Sequence, residues 1–239
     1  MIPGRMKEKN SSECEVSIGL GKVTLQGTLA IPENPKGIVL FAHGSGSSRH
    51  SPRNRYVASE LQSHGMATLL FDLLTSDEEA IDERTMQLRF NISLLAKRLV
   101  GATSWVARSP GVAGLDVGYF GASTGAAAAL VAAAEIPGSI AAIVSRGGRP
   151  DLAGEALGSV QAPTLLIVGG YDDIVIALNQ QAMAELRCQE KKLTIVPGAT
   201  HLFEEPGALE MVAGMATEWF AGHFAQAGQN SARQTTGTR

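Results

Sequence analysis

The sequence Val117-Gly-Tyr-Phe-Gly-Ala-Ser-Thr-Gly125 stands directly before an alanine-rich segment of the chain. Its first four residues are typical of a short buried strand, and the alanines that follow favour a helix. The five residues from Gly121 to Gly125 match the pattern G-x-S-x-G, which places a serine on a sharp turn from strand to helix. The arrangement predicts an α/β fold in which Ser123 is a candidate nucleophile at the edge of a sheet.

Two interpretations of Ser123 are open at this point. In the first, the turn exposes the hydroxyl for catalysis, and the amide of Thr124 lies at a helix N-terminus, where partial positive charge stabilises an oxyanion. In the second, Ser123 is only a helix cap between two glycines, because serine is a preferred N-cap residue. The strand before the serine and the helix after it favour catalysis.

Apolar runs and helical patterns alternate along most of the chain. The runs are continuous, which is typical of strands covered on both faces, as in a parallel sheet. Apolar runs lie at 37–42, 66–72, 117–120, 140–145, 163–168 and 192–196, and helical patterns at 53–64, 85–108, 123–135, 174–186 and 207–224. Ahead of them, residues 16–18 and 23–31 alternate more regularly between apolar and polar residues, which predicts an antiparallel edge ribbon. The order predicts an open, mostly parallel sheet flanked by helices.

The 239 residues predict one domain, because no stretch is long enough to link two. We expect this α/β domain at residues 14–225, after a flexible N-terminus (1–13) and before a polar, disordered C-terminal tail (226–239). No long insertion follows the strand at 140–145, so the sequence predicts no large cap domain. The acidic stretch 77–83 is interpreted as a solvated loop, with a partial lid as the alternative.

Composition excludes several classes of function. A formal charge of −3 and an aromatic content of 5% argue against nucleic-acid binding, which needs a basic face and stacking rings. Cys14 and Cys188 stand far apart and outside any metal-binding spacing, so we expect no disulfide scaffold, no metal and a reducing compartment. The longest apolar run has nine residues, whereas a membrane span needs about 20. We therefore expect a soluble, cytoplasmic protein.

A serine nucleophile needs a histidine base and an orienting carboxylate, and in such sheets both are expected beyond the carboxyl ends of strands. His201 follows the strand at 192–196 and precedes the last helix. Asp172 follows the strand at 163–168, which makes it the candidate carboxylate. Its neighbour Asp173 is the alternative, and helix capping is the purely structural explanation for an aspartate here.

The strand at 37–42 ends in a loop of small residues that begins His43-Gly-Ser-Gly46. Glycines let the backbone approach a ligand, so the amide of Ser45 is a candidate second oxyanion donor beside that of Thr124, and Gly46 is a candidate substrate contact. A phosphate-binding loop is the competing idea, but the chain has neither glycine-rich phosphate motif. We expect His43 to hold the loop through a ring hydrogen bond, with direct catalysis as the alternative.

Two arginines follow the strand at 140–145, in Arg146-Gly-Gly-Arg149-Pro-Asp151. A guanidinium binds a carboxylate in bidentate geometry, so Arg146 and Arg149 are candidate substrate-binding residues for an anionic group. Internal ion pairs with Asp151 or Glu155 are the alternative.

The motifs of the chain as a whole resemble those of the α/β-hydrolase superfamily, and more narrowly its dienelactone hydrolase-like branch, over about residues 20–225. They are His43-Gly-Ser-Gly46, Gly121-Ala-Ser-Thr-Gly125, Gly169-Gly-Tyr-Asp172 and Gly198-Ala-Thr-His201. The resemblance implies a single-domain α/β-hydrolase fold and a triad of Ser123, Asp172 and His201, in the chain order of that superfamily. It also implies oxyanion donors at Thr124 and Ser45 and no cofactor. Dienelactone hydrolases carry cysteine where Ser123 stands, so the chain departs from them at the nucleophile.

The expected function is hydrolysis of small to medium esters, thioesters or lactones through an acyl-enzyme on Ser123. An acyltransferase or peptidase on the same triad is an alternative, because fold and nucleophile do not fix the acceptor. A non-catalytic binding protein that keeps the fold is another. The expected partner is a small-molecule ester or lactone, without nucleic acid or membrane, and the sequence leaves monomer and homodimer both open.

Overall fold

Eight strands form one sheet in the computed structural model, which describes residues 12–234, with side chains placed from 13 to 224. The strands are β1 (Ser12–Leu20), β2 (Val23–Ile31), β3 (Ile38–Ala42), β4 (Ala67–Phe71), β5 (Val117–Ala122), β6 (Ala142–Arg146), β7 (Thr164–Gly169) and β8 (Lys191–Val196). Their order across the sheet is β1-β2-β4-β3-β5-β6-β7-β8. The pairs β1–β2 and β2–β4 are antiparallel and the remaining pairs are parallel. The predicted mostly parallel sheet with an antiparallel edge ribbon is confirmed.

Helices cover both faces of this sheet. They are α1 (Pro52–Ser63), α2 (Ser76–Thr85), α3 (Ile92–Val106), α4 (Thr124–Glu135), α5 (Asp173–Glu185) and α6 (Ala208–Gln234), with a 3-10 helix at Pro150–Ser159. On one face α1 packs against α6, and on the other α4 packs against α3 and the 3-10 helix. The connection from β6 to β7 holds the 3-10 helix alone, so the prediction of no large cap domain is confirmed.

The hydrophobic core lies in two layers, one on each side of the sheet. Every residue of β3 to β7 is buried, as expected for strands covered on both faces. One apolar cluster joins the sheet to α3, α4 and α5, and the other joins it to α1 and α6. The central strands are therefore held firmly from both sides, and their carboxyl ends provide a rigid edge.

Two glycines allow α4 to begin close against the strands. A Cβ on Gly121 would lie 2.4 Å from the Cα of Ala126, and one on Gly125 would lie 2.1 Å from the carbonyl oxygen of Ala42. Both obstacles are backbone atoms, which cannot rotate away as a side chain can. The glycines of G-x-S-x-G are therefore packing requirements of the strand-to-helix turn.

The segment between β4 and β5 differs from the sequence prediction. The acidic stretch 77–83, interpreted as a loop, lies in α2, and the single helix predicted at 85–108 is wrong because α2 ends at Thr85 and α3 begins only at Ile92. A capping box explains the start of α2, since the Thr75 hydroxyl accepts from the N–H of Glu78 and the Glu78 carboxylate accepts from the N–H of Thr75.

The break between α2 and α3 has a local cause at each side. Met86 adopts a left-handed conformation with φ 54°, which ends α2. The side chain of Asn91 accepts a hydrogen bond of 3.1 Å from the N–H of Leu94 and caps the start of α3.

The predicted domain limits lie close to the two ends of the described part of the chain. Strand β1 begins at Ser12, within the N-terminal segment predicted to be flexible, and residues 1–11 of that segment lie outside the described residues. Helix α6 continues to Gln234, so residues 226–234 of the predicted disordered tail are helical in the structure. Alanine and glutamine in that stretch have good helix propensity. Residues 235–239 lie outside the described residues. Among the described helices, none combines the length and apolarity that crossing a membrane requires.

Exchanging Gly125 for alanine tests the contact between α4 and β3. The added Cβ would overlap the carbonyl oxygens of Ala42 and His43, so we expect Gly125→Ala to lower the free energy of unfolding by about 3 kcal/mol or more, or to prevent folding. Gly214→Ala is the matched control, because a Cβ there meets no atom within 4 Å. In this exposed helical position alanine should stabilise by about 0.5–1 kcal/mol. Urea unfolding measures both, and similar stability of the two variants would contradict the packing argument.

Candidate active site

Ser123 stands at the turn between β5 and α4 in a strained backbone conformation. Its φ is 51° and its ψ is −121°, a region that non-glycine residues rarely adopt. Two hydrogen bonds hold it there, because its N–H donates to the carbonyl of Arg146 at 3.2 Å and its carbonyl accepts from the N–H of Arg149 at 3.1 Å. Its side chain makes no capping hydrogen bond. The helix-cap interpretation therefore does not account for this serine.

The structure brings the predicted histidine and carboxylate together. His201 Nδ1 lies 2.6 Å from Asp172 Oδ2, a hydrogen bond between the loops that follow β8 and β7. Asp172 makes no helix-capping bond with its side chain, and Asp173 is the first residue of α5. The hydrogen-bond partner of His201 is thus Asp172 and not Asp173, and the catalytic role of the pair stays a prediction. A Cβ on Gly147 would lie 3.0 Å from the backbone carbonyl oxygen of His201, and Gly147 adopts φ 50°, so both the close approach and the backbone conformation suit glycine.

Ser123 and His201 line the same cleft, which has a volume of about 210 Å³. It opens at the carboxyl ends of the parallel strands, where ligand sites of such sheets lie. The other lining residues come from the loop after β3, the start of α1, the ends of β5 and β6 and the loop after β8: Gly44, Ser45, Ser47, Ser51, Arg53, Asn54, Ala122, Arg146 and Leu202.

The loop after β3 lies beside the start of α4. The hydroxyls of Ser45 and Thr124 are hydrogen-bonded at 3.0 Å, which keeps the two backbone segments adjacent. A Cβ on Gly44 would lie 3.1 Å from the Cβ of Ser123, so this close approach suits glycine. The two predicted oxyanion donors, the amides of Ser45 and Thr124, thus belong to segments that meet next to the candidate nucleophile. Their role in catalysis stays a prediction.

His43 anchors that loop to the chain after β4. Its Nε2 accepts a hydrogen bond of 3.1 Å from the N–H of Leu73, and its Nδ1 lies 3.0 Å from the carbonyl oxygen of Gly44, to which it donates. Burial lowers the pKa of His43, with smaller opposing effects from nearby acceptors and carboxylates. The neutral ring fits both bonds, in agreement with the structural role expected for this residue.

Gly46 faces a second cavity of about 190 Å³, on the far side of the same loop. It adopts φ 66°, and a Cβ there would lie 3.6 Å from Nη1 of Arg89. Helix α2 forms one wall, held by an ion pair between Arg89 and Asp82. Burial by itself raises the pKa of Asp82, but hydrogen bonds from Arg89 and Leu88 bring it below the ordinary value. Gly46 is not among the residues that line the cleft of Ser123 and His201, and the prediction that it contacts substrate stays a prediction.

The two arginines after β6 lie in different environments. Arg149 binds Asp151 in bidentate geometry, with distances of 2.9 and 2.7 Å, which raises the pKa of its guanidinium. This is the internal ion pair that the sequence left open, and it argues against substrate binding by Arg149. Arg146 is 6% exposed, lines the cleft with Ser123, and has no carboxylate within ion-pair distance among the described residues.

Sequence reasoning missed the contribution of α1 to the cleft. Arg53 and Asn54 lie in its first turn and line the cleft together with Ser123 and His201. The segment Ser51-Pro-Arg-Asn54 contains a signal for a helix start, a serine cap followed by proline at the first helical position. No group of three or more potential metal ligands of the His, Cys, Asp and Glu types occurs in the part of the chain that the structure describes.

Comparison with known proteins gives consistent results for fold and family. The sequence pattern of the dienelactone hydrolase family matches residues 25–225. The crystal structure of a dienelactone hydrolase from Anabaena variabilis is 62% identical, with a TM-score of 0.87 over 89% of this chain and 98% of that one. An esterase from Pyrococcus furiosus is 17% identical, with a TM-score of 0.74 over 94% of this chain and 96% of its own. The latter likeness concerns the fold alone.

A curated relative extends well beyond this chain. A Mycobacterium tuberculosis protein, provisionally named a phosphoribosyl transferase, is 61% identical over 212 residues. The match covers 88% of this chain and 46% of that protein. The chain thus spans about half the length of the curated relatives it matches first.

The buried neutral His43 predicts a pH-dependent stability. Its pKa is lowered in the folded chain, whereas an unfolded histidine titrates near pH ~6.5. Below that pH the unfolded chain binds a proton that the folded chain does not. The free energy of unfolding should therefore fall, by up to about 1.4 kcal/mol per pH unit, until the folded pKa is reached.

Urea unfolding of the wild type and His43→Gln at pH 7.5 and 5.5 measures this contribution. Both proteins share the other four histidines, so the difference between their pH dependences reports on His43. We expect the variant to lose less stability on acidification. Equal losses would contradict the assignment of a neutral His43.

Proposed function

The chain belongs to the dienelactone hydrolase family, and we propose that it is a serine hydrolase acting on ester bonds. The substrates are carboxylic esters, thioesters or lactones of small to medium size, cleaved through an acyl-enzyme on Ser123. One observation carries the proposal. His201 Nδ1 is hydrogen-bonded to Asp172 at 2.6 Å, and the histidine shares a cleft with a serine held on a strained strand-to-helix turn.

The reaction takes place in two halves. With Nδ1 of His201 bonded to Asp172, the other ring nitrogen accepts the proton of Ser123 while its Oγ attacks the carbonyl carbon. Asp172 holds the imidazole in this orientation and stabilises the imidazolium that forms. The amides of Thr124 and Ser45 stabilise the oxyanion, and the imidazolium protonates the leaving alcohol, thiol or lactone oxygen. Water, deprotonated by His201, then attacks the acyl-enzyme and releases the acid and Ser123.

The size of the cleft supports substrates of limited bulk. A volume of about 210 Å³ lies below the roughly 300–1,000 Å³ of pockets that enclose drug-sized ligands. Exposed apolar side chains flank the paired residues, Tyr171 and Ile174 beside Asp172 and Leu202 beside His201. They offer an apolar rim to the non-reacting part of a substrate.

The name of the Mycobacterium tuberculosis relative does not lead to a second proposal. More than half of that protein lies outside the match. Its name refers to the whole protein, so the phosphoribosyl transferase activity is no property of the matched part alone.

We propose a cytoplasmic location for the chain. Cys14 and Cys188 are both free thiols, which suits the reducing cytoplasm.

Labelling of Ser123 by a fluorophosphonate tests the proposal directly. We expect one covalent adduct per chain in the intact mass of the wild type and none on Ser123→Ala, because only an activated serine reacts. Ser47→Ala is the matched control, since Ser47 lines the same cleft and its loss should leave the adduct in place. An unlabelled, folded wild type would favour a non-catalytic binding protein.

Steady-state hydrolysis of simple aryl esters tests the roles of the paired residues. We expect His201→Ala and Asp172→Asn to lower kcat by about 10⁴-fold, because the base or its orienting partner is lost. Asp173→Asn, a change of the neighbouring carboxylate, should stay within about threefold of the wild type. A large loss in Asp173→Asn with little in Asp172→Asn would contradict the assignment.

The choice between hydrolase and acyltransferase depends on the acceptor. An added alcohol or amine that outcompetes water for the acyl-enzyme, seen as ester or amide product, would favour acyl transfer or peptide chemistry on the same residues. Predominant release of free acid supports the proposed hydrolase.

A further inference from the structure

Asn179 stands in the middle of the buried face of α5. With Val175 and Ala182 it follows the i, i+4, i+7 spacing that packs a helix against a core, and it is 0% exposed. Apolar residues are usual at such a position, whereas asparagine has a lower helix propensity and loses its hydration on burial. An asparagine here needs a structural explanation, and its hydrogen bonds supply one.

The side-chain amide of Asn179 joins two backbone segments. Its Nδ2 donates to the carbonyl of Val175 at 2.7 Å, one turn earlier in α5, and to the carbonyl of Gly148 at 3.0 Å, in the loop after β6. Both acceptors are carbonyl oxygens, so only the nitrogen of the amide can face them. Both amide protons are thus used, and the second bond ties α5 to the loop.

Gly148 is buried in a tightly packed part of the protein. A Cβ there would lie 1.9 Å from Oγ of Ser145 and 2.6 Å from the Cβ of Ala126, so its backbone passes closely between β6 and the first turn of α4. A buried carbonyl that lacks a hydrogen bond is costly. Asn179 satisfies the carbonyl of Gly148 and fixes this residue from the side of α5.

Residues 147–149, called here the β6 loop, connect α5 to the turn that carries Ser123. The N–H of Gly147 donates to the carbonyl of Ile167 in β7 at 2.8 Å, and the N–H of Arg149 donates to the carbonyl of Ser123 at 3.1 Å. The middle residue of the loop is the one that Asn179 binds. Three successive residues therefore tie β7, α5 and the strained serine together.

The β6 loop also lies next to the other two candidate triad residues. A Cβ on Gly147 would lie 3.0 Å from the carbonyl oxygen of His201, which shows how closely the two backbones approach. Asp172 directly precedes α5, the helix that carries Asn179. The bond between Asn179 and Gly148 thus joins the segment of the candidate acid to a loop that borders both the serine and the histidine.

We propose that Asn179 is a positioning residue for the reaction of Ser123. A substrate in the cleft would not touch it, because neither Asn179 nor the β6 loop lines the cleft. Its bond to Gly148 fixes the β6 loop, and the loop in turn holds the backbone of Ser123 beside that of His201. The inference rests on the proposed function for its effect on turnover, but not for the coupling of α5 to the Ser123 turn.

Asn179→Thr separates the two hydrogen bonds of Asn179. A threonine hydroxyl has one proton, and in this chain the helical Thr103 donates it to the carbonyl four residues earlier, that of Leu99, at 2.9 Å. The variant should therefore keep the bond within α5 and lose the bond to Gly148. We expect kcat for an aryl ester to fall by about tenfold to a hundredfold, because small displacements of reacting groups slow a reaction strongly. KM should stay within about twofold, because the lining of the cleft is unchanged.

Thr164→Val is the matched control, the loss of a buried hydrogen bond away from the site. Thr164 is 0% exposed and donates to the carbonyl of Ala162 at 2.9 Å, at the amino end of β7. We expect both variants to unfold at lower urea concentration than the wild type, but Thr164→Val to keep kcat within about twofold. Wild-type kcat per folded molecule in Asn179→Thr, or equal losses of kcat in both variants, would overturn the proposal. If Asn179→Thr does not fold, Asn179→Ser replaces it in the same comparison, because it keeps a hydroxyl and adds no bulk.

Amide hydrogen exchange measures the coupling separately from catalysis. Relative to the amides of β4, we expect the N–H of Arg149, which donates to Ser123, to exchange about tenfold or more faster in Asn179→Thr than in the wild type. In Thr164→Val it should keep its wild-type rate. Faster exchange in Asn179→Thr without fluorophosphonate labelling of the wild type would support the coupling and overturn the hydrolase. Labelling and ester turnover with an unchanged exchange rate would overturn the role of Asn179 and leave the hydrolase in place.

Discussion

The close approach of α4 to β3 and β5 is the constraint on which the site depends. Gly121 and Gly125 have no side chain where the backbones approach each other, so the helix begins directly over the strand ends. Ser123 lies between these two glycines and adopts φ 51°. A strained residue persists only where its surroundings fix it firmly. Here the backbone of Arg146 and Arg149 binds the serine from the neighbouring strand end and its loop.

The remaining site elements are positioned by the same sheet edge. Parallel order brings the carboxyl ends of β3, β5, β6, β7 and β8 side by side, so loops far apart in sequence meet above Ser123. The bond between His201 and Asp172 joins the loops after β8 and β7. The contact of Ser45 with Thr124 joins the loop after β3 to α4. Strands β3, β5, β6 and β7, which are covered on both faces, and β8 at the sheet edge thus hold the groups of the candidate active site close together.

The sequence predicted what depends on local pattern and missed what depends on ion pairs and helix caps. Continuous apolar runs predicted the central strands, and G-x-S-x-G predicted the turn at Ser123, because both patterns consist of residues that are adjacent in sequence. Helix α2 was missed because its turns bury few apolar side chains, and its start depends on a capping box at Thr75. Which of Arg146 and Arg149 is internally paired depends on side-chain geometry that spacing alone does not contain.

Arg146 serves the site through two separate parts of itself. Its backbone carbonyl accepts the N–H of Ser123 and supports the strained turn, whereas its side chain faces the cleft. Exchanging Arg146 for another residue changes the side chain but leaves the backbone carbonyl in place. The wall of the cleft can therefore change while the backbone bonds that hold Ser123 stay in place. The last residue of β6 is, in evolutionary terms, a position where a single codon can alter the cleft without loss of the strained turn.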